Sequence, residues 1–387
     1  MKRSTDRILV THVGSLARPK DLMDMLVARN EGKSFDSDAL ANRTREAVKE
    51  MVQKQIECGV DVVNDGELGK SNFSRYAKER LGGFVERPAS PDFKPTSIFG
   101  RDMVEFNEYF NRGGRTSIGH HARVFYCVEP PKYVGQGEIK ADIDNLKTAL
   151  QGKKYEEAFL PAIAPGTMGH WMKNEYYKSD EEYLFAIADA MREEYKAIID
   201  AGLVLQLDDP SIAENWDMIN PAPSVEAYRK FSMIRVEALN HALRGLPEAR
   251  LRFHLCWGSW HGPHVTDIPL RDIVDVMLAV RCGAYSFEAG NVRHEHEWKV
   301  WQEVKLPAGK LLIPGVVSHA SNVVEHPELV ADRIERFARL VGPERVIAGT
   351  DCGLGGRIHP DIAWAKLETL AQGAALASRH LHGGSWC

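Results

Sequence analysis

Short apolar runs recur along this chain, separated by longer amphipathic stretches, and that alternation limits the fold more than any other feature. Such runs read as buried parallel strands, and the stretches between them as helices that cover the sheet. The pattern predicts strands over 8–13, 60–64, 159–164, 203–207, 251–256, 284–288, 311–317 and 345–350. Helical spacing falls over 38–57, 180–201, 225–243, 270–281 and 328–341. In 180–201, Leu184, Ile187, Met191, Tyr195 and Ile199 share one stripe, with Ser179 placed as N-cap and Gly202 as stop.

Eight strands with intervening helices predict an α/β fold, a single (β/α)8 TIM-type barrel spanning residues 1–387. A doubly wound open sheet would carry a glycine-rich phosphate turn after an early strand, and Gly14-Ser15-Leu16-Ala17-Arg18 is not one. The stretch 81–154 breaks the rhythm and is rich in Pro, Gly and aromatic residues. It is expected to be an insertion between strands 2 and 3, a lid or binding loop, with a hairpin formed by 123–128 and 133–140. Arg112, Arg115, His120 and His121 give it a basic group suited to an anionic substrate.

Charge excludes several partners. The 49 Lys+Arg against 54 Asp+Glu leave a net charge of −5, with no global field for nucleic acid or an anionic membrane. No stretch approaches the ~20 apolar residues needed to span a bilayer, and the N-terminal residues do not read as a signal peptide. Six widely spaced cysteines in 387 residues argue for a reducing, cytoplasmic setting rather than a disulfide framework.

The chemistry gathers at the ends of expected strands. His254 and Cys256 are two residues apart on one strand and so share a face. The next strand ends at Glu288, and Cys352 follows the last. One His, two Cys and one Glu at a barrel mouth make a tetrahedral set for Zn²⁺. Cys58, Cys127 and Cys282 lack such neighbours and read as small buried hydrophobes. Two thiolates and a carboxylate leave zinc a weak Lewis acid, poorly suited to making hydroxide from water. Such a site suits an incoming thiol, which loses its proton on binding and stays nucleophilic, so alkyl transfer to sulfur is expected.

Seven segments, taken together, are similar to the catalytic barrel of cobalamin-independent methionine synthases and their short single-barrel relatives. They are Thr11-His-Val-Gly-Ser15, Asn64-Asp-Gly-Glu67, Gln206-Leu-Asp-Asp-Pro210, His254-Leu-Cys256, Phe287-Glu288, Pro314-Gly-Val-Val-Ser-His319 and Asp351-Cys-Gly-Leu354. The resemblance implies zinc held by His254, Cys256, Glu288 and Cys352. It implies an amino-acid thiol held at Val13, Gly14, Ser15, Glu67 and Asp208, and His319 as proton donor. Trp171 matches a tryptophan that stacks on folate. His12 and His170 are expected to add imidazoles near the mouth.

The expected reaction is transfer of a methyl group, from a methylated folate or another methyl carrier, to homocysteine, giving methionine. Alkylation of a different small thiol remains open, because short relatives of this family include epoxyalkane:coenzyme M transferases. Zinc hydrolysis and a non-catalytic barrel with a structural zinc are the readings from other classes. The expected partners are a small thiol and an alkyl donor, and the oligomeric state is left open.

Overall fold

Eight of the apolar runs pair in parallel and close on themselves. The computed structural model describes residues 1–70, 73, 75–88, 100–112 and 123–383. Its barrel strands are β1 (Leu9–Val10), β2 (Val62–Val63), β5 (Glu157–Ile163), β7 (Val204–Asp208), β8 (Leu251–Leu255), β9 (Ala284–Glu288), β10 (Leu311–Val317) and β11 (Ile347–Thr350). The sheet runs β1-β11-β10-β9-β8-β7-β5-β2, and a parallel bridge between Thr11 and Val62 joins its two edges. That closure rules out the open doubly wound sheet. All eight expected strands are present.

The helical expectations hold with small shifts at the ends. Ser179 caps the helix Asp180–Asp200 by accepting a hydrogen bond from the Glu182 amide. Its buried stripe runs through Leu184, Ile187, Met191 and Tyr195, but ends at Ile198 rather than Ile199. The spacing did not reveal Lys20–Asn30, the short Pro165–Trp171, or the long Pro360–His382, which packs on β1, β10 and β11. Among the described residues no helix is long and apolar enough to cross a membrane.

The stretch between β2 and β5 differs from expectation. Its antiparallel pair is β3 (Leu81–Pro88) with β4 (Arg123–Tyr133), and β6 (Met172–Asn174) adds to β4 in parallel. The expected partner strand 133–140 is instead the start of the helix Gln136–Ala149. Ile139, Ile143 and Leu146 bury one face of that helix, which packs against Ser37–Glu57 and Asp180–Asp200 as a barrel helix does. Arg115, His120, His121 and the side chain of Arg112 lie outside the described residues, as does Cys387.

Inward-pointing side chains stack in layers along the barrel axis. Towards the N-terminal ends of the strands Leu9, Ala284, Leu311, Ile313 and Ile347 form one apolar cluster, and Val62, Phe159 and Val204 another. One step up, the side chains become polar: Thr11, Gln206 and Arg252 meet inside the barrel. Above them, at the C-terminal ends, lie the residues singled out from the sequence.

Candidate active site

Alternation along β8 turns Arg252 and His254 inward, and Cys256 follows just past the strand end. The Cys256 and Cys352 sulfurs are 3.6 Å apart, and a His254 ring nitrogen completes a group whose three donor atoms lie within 4.8 Å of one another. All three residues are buried. His254 Nδ1 is 3.0 Å from Ser286 Oγ on β9, while Nε2 is buried with no hydrogen-bond partner. An orphaned imidazole nitrogen facing two thiols fits a thiophilic cation. At a Zn–S bond of about 2.3 Å, the sulfurs of a tetrahedral site stand about 3.8 Å apart. The sulfur separation here is close to that.

The two thiols divide the charge between them. A hydrogen bond from Cys256 and the nearby His254 and His319 hold Cys352 well below the usual thiol range. The same hydrogen bond between the sulfurs, together with burial, pushes Cys256 up.

Glu288 sits beside this trio and groups with His319 and Asp351. Its carboxylate accepts from the Trp257 amide at 2.9 Å and from Asn291 Nδ2 at 2.7 Å. His319 Nδ1 is 2.8 Å from Asp351 Oδ1, which also accepts from the His319 amide. His319 Nε2 is buried without a partner. Burial disfavours the charged ring, but Asp351, Cys352 and Glu288 outweigh it and raise His319 to about 10.

The residues expected to hold an amino-acid thiol gather around the ends of β1, β2 and β7. Gly14 has φ of +146°, and a Cβ there would come within 2.9 Å of Glu67 Oε1, so only glycine lets that carboxylate close on the chain. Glu67 itself has φ of +57°, a strained conformation for a residue with a side chain. Its amide is held by Asp65 Oδ1 at 2.9 Å, and its carbonyl by Arg18. Ser15 packs against Gly353 and Gly355, its carbonyl accepting from the Leu354 and Gly355 amides, which places it next to Cys352. The Val13 amide donates to Thr350 Oγ1. Asp208 is buried and accepts from Gln206 Nε2 at 2.7 Å. Burial pushes its carboxyl up to about 7, with His254 pulling it down and Glu67 pushing it up.

Two expected residues stand apart. Trp171 ends the helix that follows β5, edge-on to His170 at 5.5 Å, with its indole nitrogen buried and unpartnered. His12 bonds to Gln55 at 2.8 Å and stands edge-on to Phe159 at 5.8 Å, and burial pushes it down to about 4, so it is neutral and held by the barrel wall. Sequence reasoning missed Asp351, Ser286 and Glu214. Asp351 lay inside a quoted motif, and Ser286 sits two residues before Glu288, so alternation places both on the inner face. Glu214 follows the β7 turn, and its carboxylate lies against Gly258 and near Cys352. Burial is the main force raising it to about 8.

The model of the "Cobalamin-independent synthase, Catalytic domain" family matches residues 8–90 and 122–375. The chain belongs to this family. As a member of the cobalamin-independent synthases it is an enzyme, a transferase. It is 24% identical over 370 residues to a methionine synthase of Thermococcus kodakarensis, covering 95% of this chain and 93% of the relative. It is 25% identical over 377 residues to that of Saccharolobus solfataricus, covering 96% and 95%. Among solved structures, a B12-independent methionine synthase of a Shewanella species, in complex with selenomethionine, superposes with a TM-score of 0.74 at 19% identity. That match covers 98% of this chain and 100% of the other. It shows that the cobalamin-independent synthase fold extends through the whole barrel.

Proposed function

We propose that this enzyme is a zinc-dependent methyltransferase that moves a methyl group from a methylated folate or other methyl carrier onto the thiol of homocysteine, giving methionine. The observation that carries this reading is the buried trio of His254, Cys256 and Cys352 beside two inward carboxylates, Glu67 and Asp208. The family and the relatives named methionine synthase support it. The zinc would be held by His254, Cys256 and Cys352, with Glu288 as the fourth, exchangeable ligand. When bound, it would lower the pKa of the incoming thiol so that a nucleophilic thiolate is present at neutral pH.

The chain's own residues do the rest. Glu67 and Asp208 receive the substrate ammonium group, since a buried cation requires paired charge. The backbone at Val13 and Gly14, with Ser15, receives its carboxylate. His319, held by Asp351, offers a proton from Nε2 to the group that leaves the methyl. Trp171 gives the methyl donor a flat apolar face. Residues 1–387 form one catalytic unit in this reading, with residues 101–112 as part of its cover. Phe110 packs on Trp260 at 5.6 Å, and Asp102 accepts from Thr266 in the loop after β8. The free cysteines among the described residues are in keeping with a cytoplasmic enzyme.

The deciding experiment loads the protein with zinc and adds homocysteine or coenzyme M, followed by X-ray absorption at the zinc edge. Homocysteine should add a sulfur to the metal, and coenzyme M should not. Addition of coenzyme M alone would move the assignment to another thiol.

A further inference from the structure

The polar layer beneath the site calls for an explanation, because the interior of such a barrel is ordinarily packed with apolar side chains. Arg252 is among the largest fully buried side chains in the molecule, yet the acceptors its guanidinium bonds to are all neutral. Its guanidinium donates from Nε to Gln206 Oε1 at 2.6 Å, from Nη1 to Thr11 Oγ1 at 3.0 Å and from Nη2 to the His12 carbonyl at 2.6 Å. Its flat face lies on the Phe159 ring, 3.6 Å from the centroid. Gln206, fully buried, passes the contact upward. Its Nε2 donates to Asp208 Oδ1 at 2.7 Å and to the Val13 carbonyl.

These bonds fix the orientation of the amide. A guanidinium only donates, so the atom facing it must be the carbonyl oxygen. A carbonyl and a carboxylate only accept, so the atom facing Val13 and Asp208 must be the NH₂. Both amide hydrogens are then committed, one to the side chain and one to the backbone of the amino-acid subsite. A flipped glutamine would set two acceptors against its own oxygen and leave its NH₂ against the guanidinium.

We propose that Arg252 and Gln206 are positioning residues for substrate recognition. Arg252 locks the Gln206 amide so that it holds Asp208 and the Val13–Gly14 peptide where the substrate's ammonium and carboxylate groups are read. The relay also places a positive charge below two inward carboxylates, Asp208 and Glu67. This inference rests on the homocysteine reading above, and the experiment separates the two.

Gln206→Glu is the decisive variant. It keeps shape and volume and gives Arg252 a carboxylate partner, so Arg252 holds it ionised and the barrel stays intact. It cannot donate to Asp208 or to Val13, and it sets a negative charge against Asp208. Zinc-loaded protein is titrated calorimetrically with homocysteine and with 4-mercaptobutanoate, which lacks only the amino group. Wild type should prefer homocysteine by ~10-fold or more, as expected for a charge-assisted contact. In Gln206→Glu that preference should fall about tenfold, with zinc content at the wild-type value. Arg252→Lys, which keeps the charge but loses the fork, should show an intermediate loss. No preference in wild type would overturn the homocysteine reading itself. A wild-type preference retained in Gln206→Glu would overturn the relay alone. Loss of preference accompanied by loss of zinc and a lower Tm would also overturn it, since the pair would then be structural.

Discussion

The Cys256 and Cys352 sulfurs meet at 3.6 Å although they are 96 residues apart in the chain. Each follows the end of its own strand, β8 or β11, and β9 and β10 lie between those strands in the sheet. Their meeting therefore depends on barrel curvature, which turns the ends of non-adjacent strands toward one axis. Cys256→Ser and Cys352→Ser replace a soft thiolate by a hard, protonated hydroxyl. Each should lose most of its zinc on dialysis against a weak chelator. Full metal occupancy in either variant, by atomic emission, would remove that residue from the site.

Ser286 should matter to the metal without touching it. It holds His254 Nδ1 at 3.0 Å and so aims Nε2 at the thiols. Loss of such an orienting partner commonly lowers metal affinity by roughly 10- to 100-fold. Ser286→Ala should weaken zinc binding by about tenfold in competition with a chromophoric chelator, with Tm of the zinc-loaded protein little changed. Unchanged affinity would show that packing alone orients the ring.

Asp208→Asn should reduce homocysteine use by ~10- to 100-fold, because one partner of a buried ammonium is lost. Zinc content should stay at the wild-type level. The defect should reside in the KM for homocysteine, and the residual activity with an amine-free thiol should be indifferent to the change. Equal loss with both thiols would argue against the ammonium role.

A charged chain below the loop after β8 gives a pH signature in stability. His264 lies 3.0 Å from Asp267, and His294 bridges Asp267 and Glu297 at 3.0 and 2.9 Å, with Trp257 stacked on the His294 ring. Burial opposes the protons, but the carboxylates outweigh it, raising His264 to about 9 and His294 to about 10. Because folded values lie above the unfolded value near 6.5, this stability is fully present below pH ~6.5 and is lost as pH rises towards 9–10. Thermal melts should show wild type exceeding His294→Gln by a few degrees at pH 6, with the gap narrowing by pH 10. A gap that is constant across this range would mean that the ring's contribution is packing alone.

What could be read from the sequence follows from local periodicity. Alternation of apolar runs with amphipathic stretches identified every barrel strand, because a parallel strand buried on both faces must be apolar throughout. Spacing of two put His254 with Cys256, and strand ends marked Glu288 and Cys352, whereas Glu67, Asp208 and His319 came from the resemblance to the cobalamin-independent synthases. The partner of β3 and the helix Gln136–Ala149 were misread because Tyr133-Val134-Gly135 is compatible with either element, and only burial of Ile139, Ile143 and Leu146 against two barrel helices decides. Only the closed barrel could show that His12 is taken up by Gln55, that Glu288 groups with His319 and Asp351, or that Glu214 reaches Gly258. Arg252 gave no signal of its own, since an arginine in a strand reads as a solvent-facing residue. Its burial beneath Asp208 depends on Thr11, just past β1, meeting side chains of β7 and β8 inside the barrel, and separations of 46 and 241 residues lie beyond any local pattern.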